Sequence, residues 1–89
     1  MIKNKVIISN KLGLHARASA KLTKLAGSFA CEISISKGDR RVNAKSIMGV
    51  MMLAAGKGVE VELETEGAQE AEAMNALVAL MEDKFGESE

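Results

Sequence analysis

The chain carries one histidine, His15, placed where a glycine-containing turn, Gly13-Leu14, gives way to a breaker-free stretch that reads as a helix. A helix N-terminus presents unpaired backbone N–H groups and the positive end of the macrodipole, and together these make an anion site. Arg17 lies two residues on and adds a guanidinium whose fork matches phosphate oxygens. Because a neutral imidazole nitrogen is a nucleophile, His15 is able to take a phosphoryl group that the backbone N–H groups of Ala16 and Arg17 and the Arg17 side chain would cradle. The same residues allow a plainer reading, an exposed histidine at a helix start beside a solvated arginine. Spacing alone does not separate the two.

Ser46 opens a second apolar segment, Ile47 to Ala55, and suits the cap position, where a serine hydroxyl accepts from the free N–H groups of the first turn and contributes about 1 kcal/mol. Capping is a sufficient reason for a serine there. Ile47, Met48, Met51 and Met52 are more apolar residues than one face of so short a helix can bury. Either Ile47, Val50, Met51 and Leu53 fill the core and leave an incidental methionine outside, or the segment offers a polarizable docking patch. Cys31 reads as a core residue, and Gly56-Lys57-Gly58 is too short for a phosphate loop and reads as a turn.

Positioning these side chains requires a scaffold, and hydrophobic period supplies one. Lys5 to Ser9 is a β-branched run that places Val6 and Ile8 on one face and Ile7 on the other. Ala18, Leu22, Leu25 and Phe29 follow at helical spacing, with Gly27 as a left-handed terminator. Cys31, Ile33 and Ile35 alternate with polar residues, and Lys37-Gly38-Asp39 is a hairpin signal leading into Arg40 to Ala44. Val59, Val61 and Leu63 alternate with Glu60, Glu62 and Glu64, which predicts a half-buried strand with one acidic face. Ala68 to Phe85 is helix-forming, with Met74, Leu77, Met81 and Phe85 on one stripe. The closing Gly86-Glu87-Ser88-Glu89 is expected to fray. The element order is βαββαβα. Strands with one polar face imply an α/β (α+β) open-faced two-layer sandwich, a four-stranded antiparallel sheet with three helices on one face.

Composition bounds the partners. The 89 residues suit one domain, 1–89, and 47% apolar with 27% charged residues is a globular balance. Two Phe with no Tyr or Trp remove the platforms on which single-stranded nucleic acid stacks, and a net charge of zero argues further against nucleic acid. One Cys excludes an internal disulfide and a cysteine-cluster metal site. No apolar run approaches a membrane span or a signal peptide, so the expected compartment is the cytoplasm. Charge is nonetheless split: residues 1–45 hold ten cations against two acids, and residues 46–89 hold two cations against ten acids. The halves either neutralise each other across the fold or leave a basic docking surface on the first.

The segment Gly13-Leu14-His15-Ala16-Arg17 resembles the active-site motif of the HPr family, the histidine phosphocarriers of the bacterial phosphoenolpyruvate-dependent phosphotransferase system. Lys45-Ser46-Ile47-Met48-Gly49-Val50-Met51 resembles the family's regulatory-serine segment, at the matching distance, and the likeness runs the length of the chain. It implies a covalent carrier rather than a turnover enzyme. His15 would accept a phosphoryl group at Nδ1 from enzyme I, charged by phosphoenolpyruvate, and pass it to a histidine of an enzyme IIA domain in sugar transport. Arg17 would steady the group, Ser46 would be phosphorylated by an HPr kinase/phosphorylase, and no cofactor or metal is implied. Ala18 stands where the family commonly has proline, which loosens the first helical turn slightly and restores one N–H donor.

The partner-docking surface is expected around Lys21 and Lys24 on the first helix and Ile47, Met48 and Met51 on the second, on a monomer. Two alternatives are a non-catalytic regulatory binding module related to the family and the nitrogen-branch phosphocarrier. A phosphate-ester hydrolase is disfavoured, because the chain shows no metal-ligand cluster and no general-base partner for His15.

Overall fold

The structure, a computed structural model, describes residues 1–88. Its strands are β1 (Ile2–Ile7), β2 (Glu32–Lys37), β3 (Arg40–Asn43) and β4 (Glu60–Glu66), and its helices are α1 (Ala16–Gly27), α2 (Ile47–Met52) and α3 (Glu70–Glu82), followed by a short 3₁₀ turn, Lys84–Gly86. The sheet is antiparallel throughout in the order β1-β4-β2-β3. This is the open-faced sandwich that the alternating strands predict. Val6, Ile33, Ile35, Val61 and Leu63 point from the sheet into one core with Ala18, Leu22 and Ala26 of α1, Val50 of α2 and Ala73, Met74, Leu77 and Met81 of α3. Among the described residues no helix is long and apolar enough to cross a membrane.

The outer sheet face explains part of the charge split. Register places Lys3 opposite Glu64 and Lys5 opposite Glu62, and ion pairs join Lys3 to Glu64 at 3.6 Å, Arg41 to Glu64 at 2.5 Å and Lys5 to Glu60 at 4.0 Å. Cross-strand opposite charges on an exposed face each add only a few tenths of a kcal/mol, roughly, but they exclude like-charge repulsion along the acidic strand. Other cations of the first half satisfy carbonyls. Arg40 donates to Met52 at 2.8 Å and Lys37 to Leu53 at 2.9 Å, both at the end of α2, while Lys45 donates to Phe29 at 3.0 Å just past α1. Those are the electronegative ends of helices, where cations belong.

Several boundaries differ from the sequence pattern. Gly27 is helical rather than left-handed, and α1 is closed instead by Ser28, whose N–H and Oγ both donate to the Leu25 carbonyl. Helix α2 stops at Met52 instead of Ala55 because Arg40 and Lys37 claim its last carbonyls and Ala54 turns to φ 52°. Ile47 and Met51, candidates for the core, are each 39% exposed, and only Val50 of that helix is buried. So short a helix turns one residue fully inward. Helix α3 ends at Glu82 rather than Phe85. Phe85 reaches the core by another route, with Lys84, Phe85 and Gly86 all at positive φ, and is 1% exposed. The expected fraying of the tail fails at Gly86 and Glu87, which fold back onto the domain, and Glu89 lies outside the described residues.

Gly13 is the tightest joint. It holds φ +65°, and a Cβ there would stand 2.4 Å from the Ala55 carbonyl oxygen and 2.6 Å from Gly56 Cα. Both the left-handed backbone and the close approach demand glycine. Gly13→Ala is therefore expected to cost more than about 1 kcal/mol in chemical denaturation and to shift the amide resonances of residues 13–16 and 54–57 together.

Candidate functional site

The loop from Asn10 to Leu14 decides where α1 begins. Asn10 is fully buried, and its Nδ2 donates to the Gly13 carbonyl at 2.8 Å, closing a side-chain-supported turn. The Leu14 N–H donates to the Ala55 carbonyl at 2.9 Å while the Leu14 side chain enters the core. Ser19, also fully buried, donates its hydroxyl to the Leu14 carbonyl at 3.1 Å and its N–H to His15 at 2.8 Å. The backbone is held on both sides of His15.

His15 occupies the cap position of α1 in extended conformation and makes no side-chain cap bond. Ser19 is the first residue whose N–H reaches a helical carbonyl, so the N–H groups of Ala16, Arg17 and Ala18 belong to the unpaired first turn, and no acidic side chain occupies it. Ser46 does the opposite at α2, where its Oγ accepts from the Gly49 N–H at 3.2 Å. One helix start is capped and the other is left open to an anion. Arg17 is exposed and its side chain has no partner among the described residues, which leaves its guanidinium available beside that open end. Ala18 packs fully into the core.

Half-buried His15 has one neighbour that sequence pattern did not supply. Its Nε2 lies 2.5 Å from Oε2 of Glu87, and the other carboxylate oxygen of Glu87 accepts from Asn10 Nδ2 at 3.0 Å. Nothing around Asn10 or Glu87 in the sequence marks either as a site residue, and the contact of His15 with Glu87 spans 72 positions. Lys21, expected to face partners, instead donates to the Phe85 carbonyl at 2.6 Å and ties the returning tail to α1. Lys24 remains exposed and without a partner among the described residues.

Next to the His15 loop, across the contact of Gly13 and Leu14 with Ala55 and Gly56, lies an apolar surface on α2. Met48 is 66% and Met52 62% exposed, Ile47 and Met51 are half-exposed, and Leu12 of the loop itself is 65% exposed. Four of the seven large apolar side chains exposed among the described residues lie on this one short helix, which makes it the marked exposed patch. Cys31 is partly buried at the entry to β2 and packs against the core, in keeping with a structural residue.

Comparison with known proteins places these features in context. A family model described as the PTS HPr component phosphorylation site matches residues 2–83. The chain is 61% identical to a phosphocarrier protein HPr of Cupriavidus necator over 89 residues, covering all of both chains, and 60% identical over the same span to one of Neisseria meningitidis. It superposes on the crystal structure of HPr-C-His from Thermoanaerobacter tengcongensis with a TM-score of 0.96 at 46% identity, again covering both chains fully.

Electrostatics binds the tail to the site. The Asn10 amide, then the His15 ring, hold the Glu87 carboxyl below the ordinary glutamate value of 4.5, with Lys21 adding a smaller favourable charge. A depressed carboxyl contributes stability above its unfolded value and loses it as pH falls through the folded value. The Glu87 side-chain carboxyl is thus expected to titrate with a midpoint below 4.5 by carbon NMR, and Asn10→Ala should move that midpoint upward. A Glu87 midpoint unchanged by Asn10→Ala would break the assignment.

Proposed function

The chain belongs to the HPr family of phosphocarrier proteins of the phosphotransferase system, and on that premise we propose that His15 is its phosphoryl acceptor, taking the group from enzyme I and passing it to a histidine of an enzyme IIA domain. The observation that carries this reading is the open start of α1: a half-buried imidazole at the cap position, unpaired first-turn N–H groups and an unpartnered Arg17. In the transfer, the lone pair of His15 Nδ1 forms a bond to phosphorus as the bond from phosphorus to its donor on enzyme I breaks, its electron pair returning to the donor. The phosphoryl oxygens keep their charge throughout. Catalysis is then positioning plus charge stabilisation, for which the N–H groups of Ala16 and Arg17 and the Arg17 guanidinium are the available donors.

A carrier shows one histidine to two partners in turn. The apolar cluster of Ile47, Met48, Met51 and Met52 beside His15, with Lys24 on α1, supports one shared docking surface on which enzyme I and an enzyme IIA domain exclude each other. Lys21 contributes to it less, being engaged with the tail. Ser46 sits at the edge of this surface, and regulatory phosphorylation there by an HPr kinase/phosphorylase would place a charge of about −1.5 to −2 beside Ile47 and Met48. Such a charge is compatible with a helix N-terminus, so its effect falls on docking rather than on folding. This reading places the protein in the cytoplasm, as a phosphoprotein intermediate and a monomer.

Three outcomes are expected. Given enzyme I and phosphoenolpyruvate, the chain gains acid-labile phosphate and His15→Ala gains none while keeping its circular dichroism spectrum. Arg17→Ala folds normally and exchanges phosphate at least roughly tenfold more slowly, the order expected for losing one charged donor to a transferring phosphoryl group. Lys24→Glu weakens association with both partners and flattens its salt dependence, because a steering charge acts mainly on the association rate. Partner-induced NMR shifts confined to β4, with none near His15 or Met48, would put the docking surface on the wrong face.

A further inference from the structure

The sheet ends on β1 at one side and β3 at the other, and the two edges are built differently. Strand β3 is four residues long with α2 packed against it, whereas β1 runs six residues from Ile2 to Ile7 in unbroken one-to-one register with β4. An edge strand of that length without proline or a bulge presents a row of backbone donors and acceptors to an added strand. The Ile8 N–H donates inward to the Val59 carbonyl at 2.9 Å, so by the alternation of an antiparallel ladder Val6, Asn4 and Ile2 also face β4. Lys3, Lys5 and Ile7 therefore turn their N–H and C=O groups outward, and nothing among the described residues pairs with them.

Side chains specify what the edge accepts. Lys3 and Lys5 project from the outer sheet face, mostly exposed, and reach Glu64 and Glu60 only at 3.6 and 4.0 Å, so each ammonium keeps donors for a second carboxylate. Ile7 on the same face is 59% exposed. Beneath the edge, Asn4, Val6 and Ser9 with Val78 and Glu82 of α3 line a groove of about 500 Å³. We propose that the β1 edge is a strand-addition site for an extended acidic segment of a partner protein, added antiparallel as a fifth strand with carboxylates opposite Lys3 and Lys5 and the intervening apolar side chains over the groove. The same pairing chemistry already operates on the inner side of β1, where β4 sets Glu64 and Glu62 opposite Lys3 and Lys5 and sends Val61 and Leu63 into the core. A second copy of the chain is a poor occupant, because the fully overlapped antiparallel register puts Lys5 opposite Lys5. The edge lies at the far side of the sheet from β3 and α2, so a partner bound there leaves the surface around His15 and Met48 open. Such a contact holds the protein in an assembly without covering its histidine.

The probe is an acetylated and amidated peptide that repeats residues 59–66, whose glutamates have the required spacing. Titrated into the full nitrogen-labelled chain, it is expected to bind saturably in the millimolar range or below, the affinity of a free strand that must order itself, and to bind more weakly as salt rises. Amide shifts move on residues 2–9 and at Val78 and Glu82, while residues 13–17 and 47–52 stay still. Hydrogen exchange gives the sharper reading: in the free chain the amides of Lys3, Lys5 and Ile7 exchange faster than those of Asn4 and Val6, and bound peptide slows them. Lys3→Gln together with Lys5→Gln, chosen because glutamine adds no repulsion beside Glu60 and Glu64, weakens binding roughly fivefold through the loss of two cross-strand charge pairs. Two further probes leave the protein unaltered. A peptide with lysine at each glutamate position does not bind, and neither does one N-methylated at the glutamates, whose N–H groups face β1. No saturable binding in that range, equal binding of the lysine peptide, unchanged exchange at Lys3, Lys5 and Ile7, or shifts centred on His15 and Met48 would overturn the proposal. So would a dimer that protects those three amides before any peptide is added, since a second copy would then occupy the edge.

Discussion

The Leu14 N–H meets the Ala55 carbonyl at 2.9 Å, and Gly13 lies so close to Ala55 and Gly56 that no side chain fits between them. Through this backbone contact the turn after β1 is anchored on the connection between α2 and β4. Helix α1 then starts at Ala16, with His15 as its cap residue and no side chain capping its first-turn N–H groups. The same contact brings α2 alongside. The methionine-rich surface of α2 and the open end of α1 are therefore neighbours for one reason, and the proposed function makes use of that adjacency.

Charge follows a similar economy of placement. Much of the basic first half is engaged once the chain folds: Lys3, Lys5 and Arg41 face glutamates across the sheet, and Lys21, Lys37, Arg40 and Lys45 donate to carbonyls near helix ends or in the tail. Arg17 and Lys24, both on α1, are left without partners among the described residues. The two readings of the charge split are thus both partly realised. Neutralisation governs the sheet face, and a small basic surface survives beside His15.

Ser46 and His15 show how one local motif is put to opposite uses. Both precede a helix, and serine closes its own first turn with a hydroxyl while histidine, whose side chain turns away to Glu87, leaves the first turn open. A capped start favours helix stability, which the six-residue α2 needs. An uncapped start favours an incoming anion. The longer α1, packed on the core through Ala18, Leu22 and Ala26, holds together without the cap.

The amino-acid sequence by itself determined the layer architecture, because period-two strands with one polar face and period-four helices leave few ways to bury one aliphatic core. It also determined the place of His15, Arg17 and Ser46 at helix starts, since Gly13 and the serine are local signals that act within a few residues. What it left open was decided over long distances. The short span of α2 and the exposure of Ile47 and Met51 depend on Lys37 and Arg40 reaching its carbonyls from the β2–β3 hairpin. The left-handed turn at Lys84 and Phe85 carries the Phe85 side chain into the core, and the meeting of Glu87 with His15 and Asn10 follows from that turn. Hydrophobic period reports which face of an element is buried. It carries no information on which carboxylate, 72 residues away, a packed tail will deliver to a ring nitrogen.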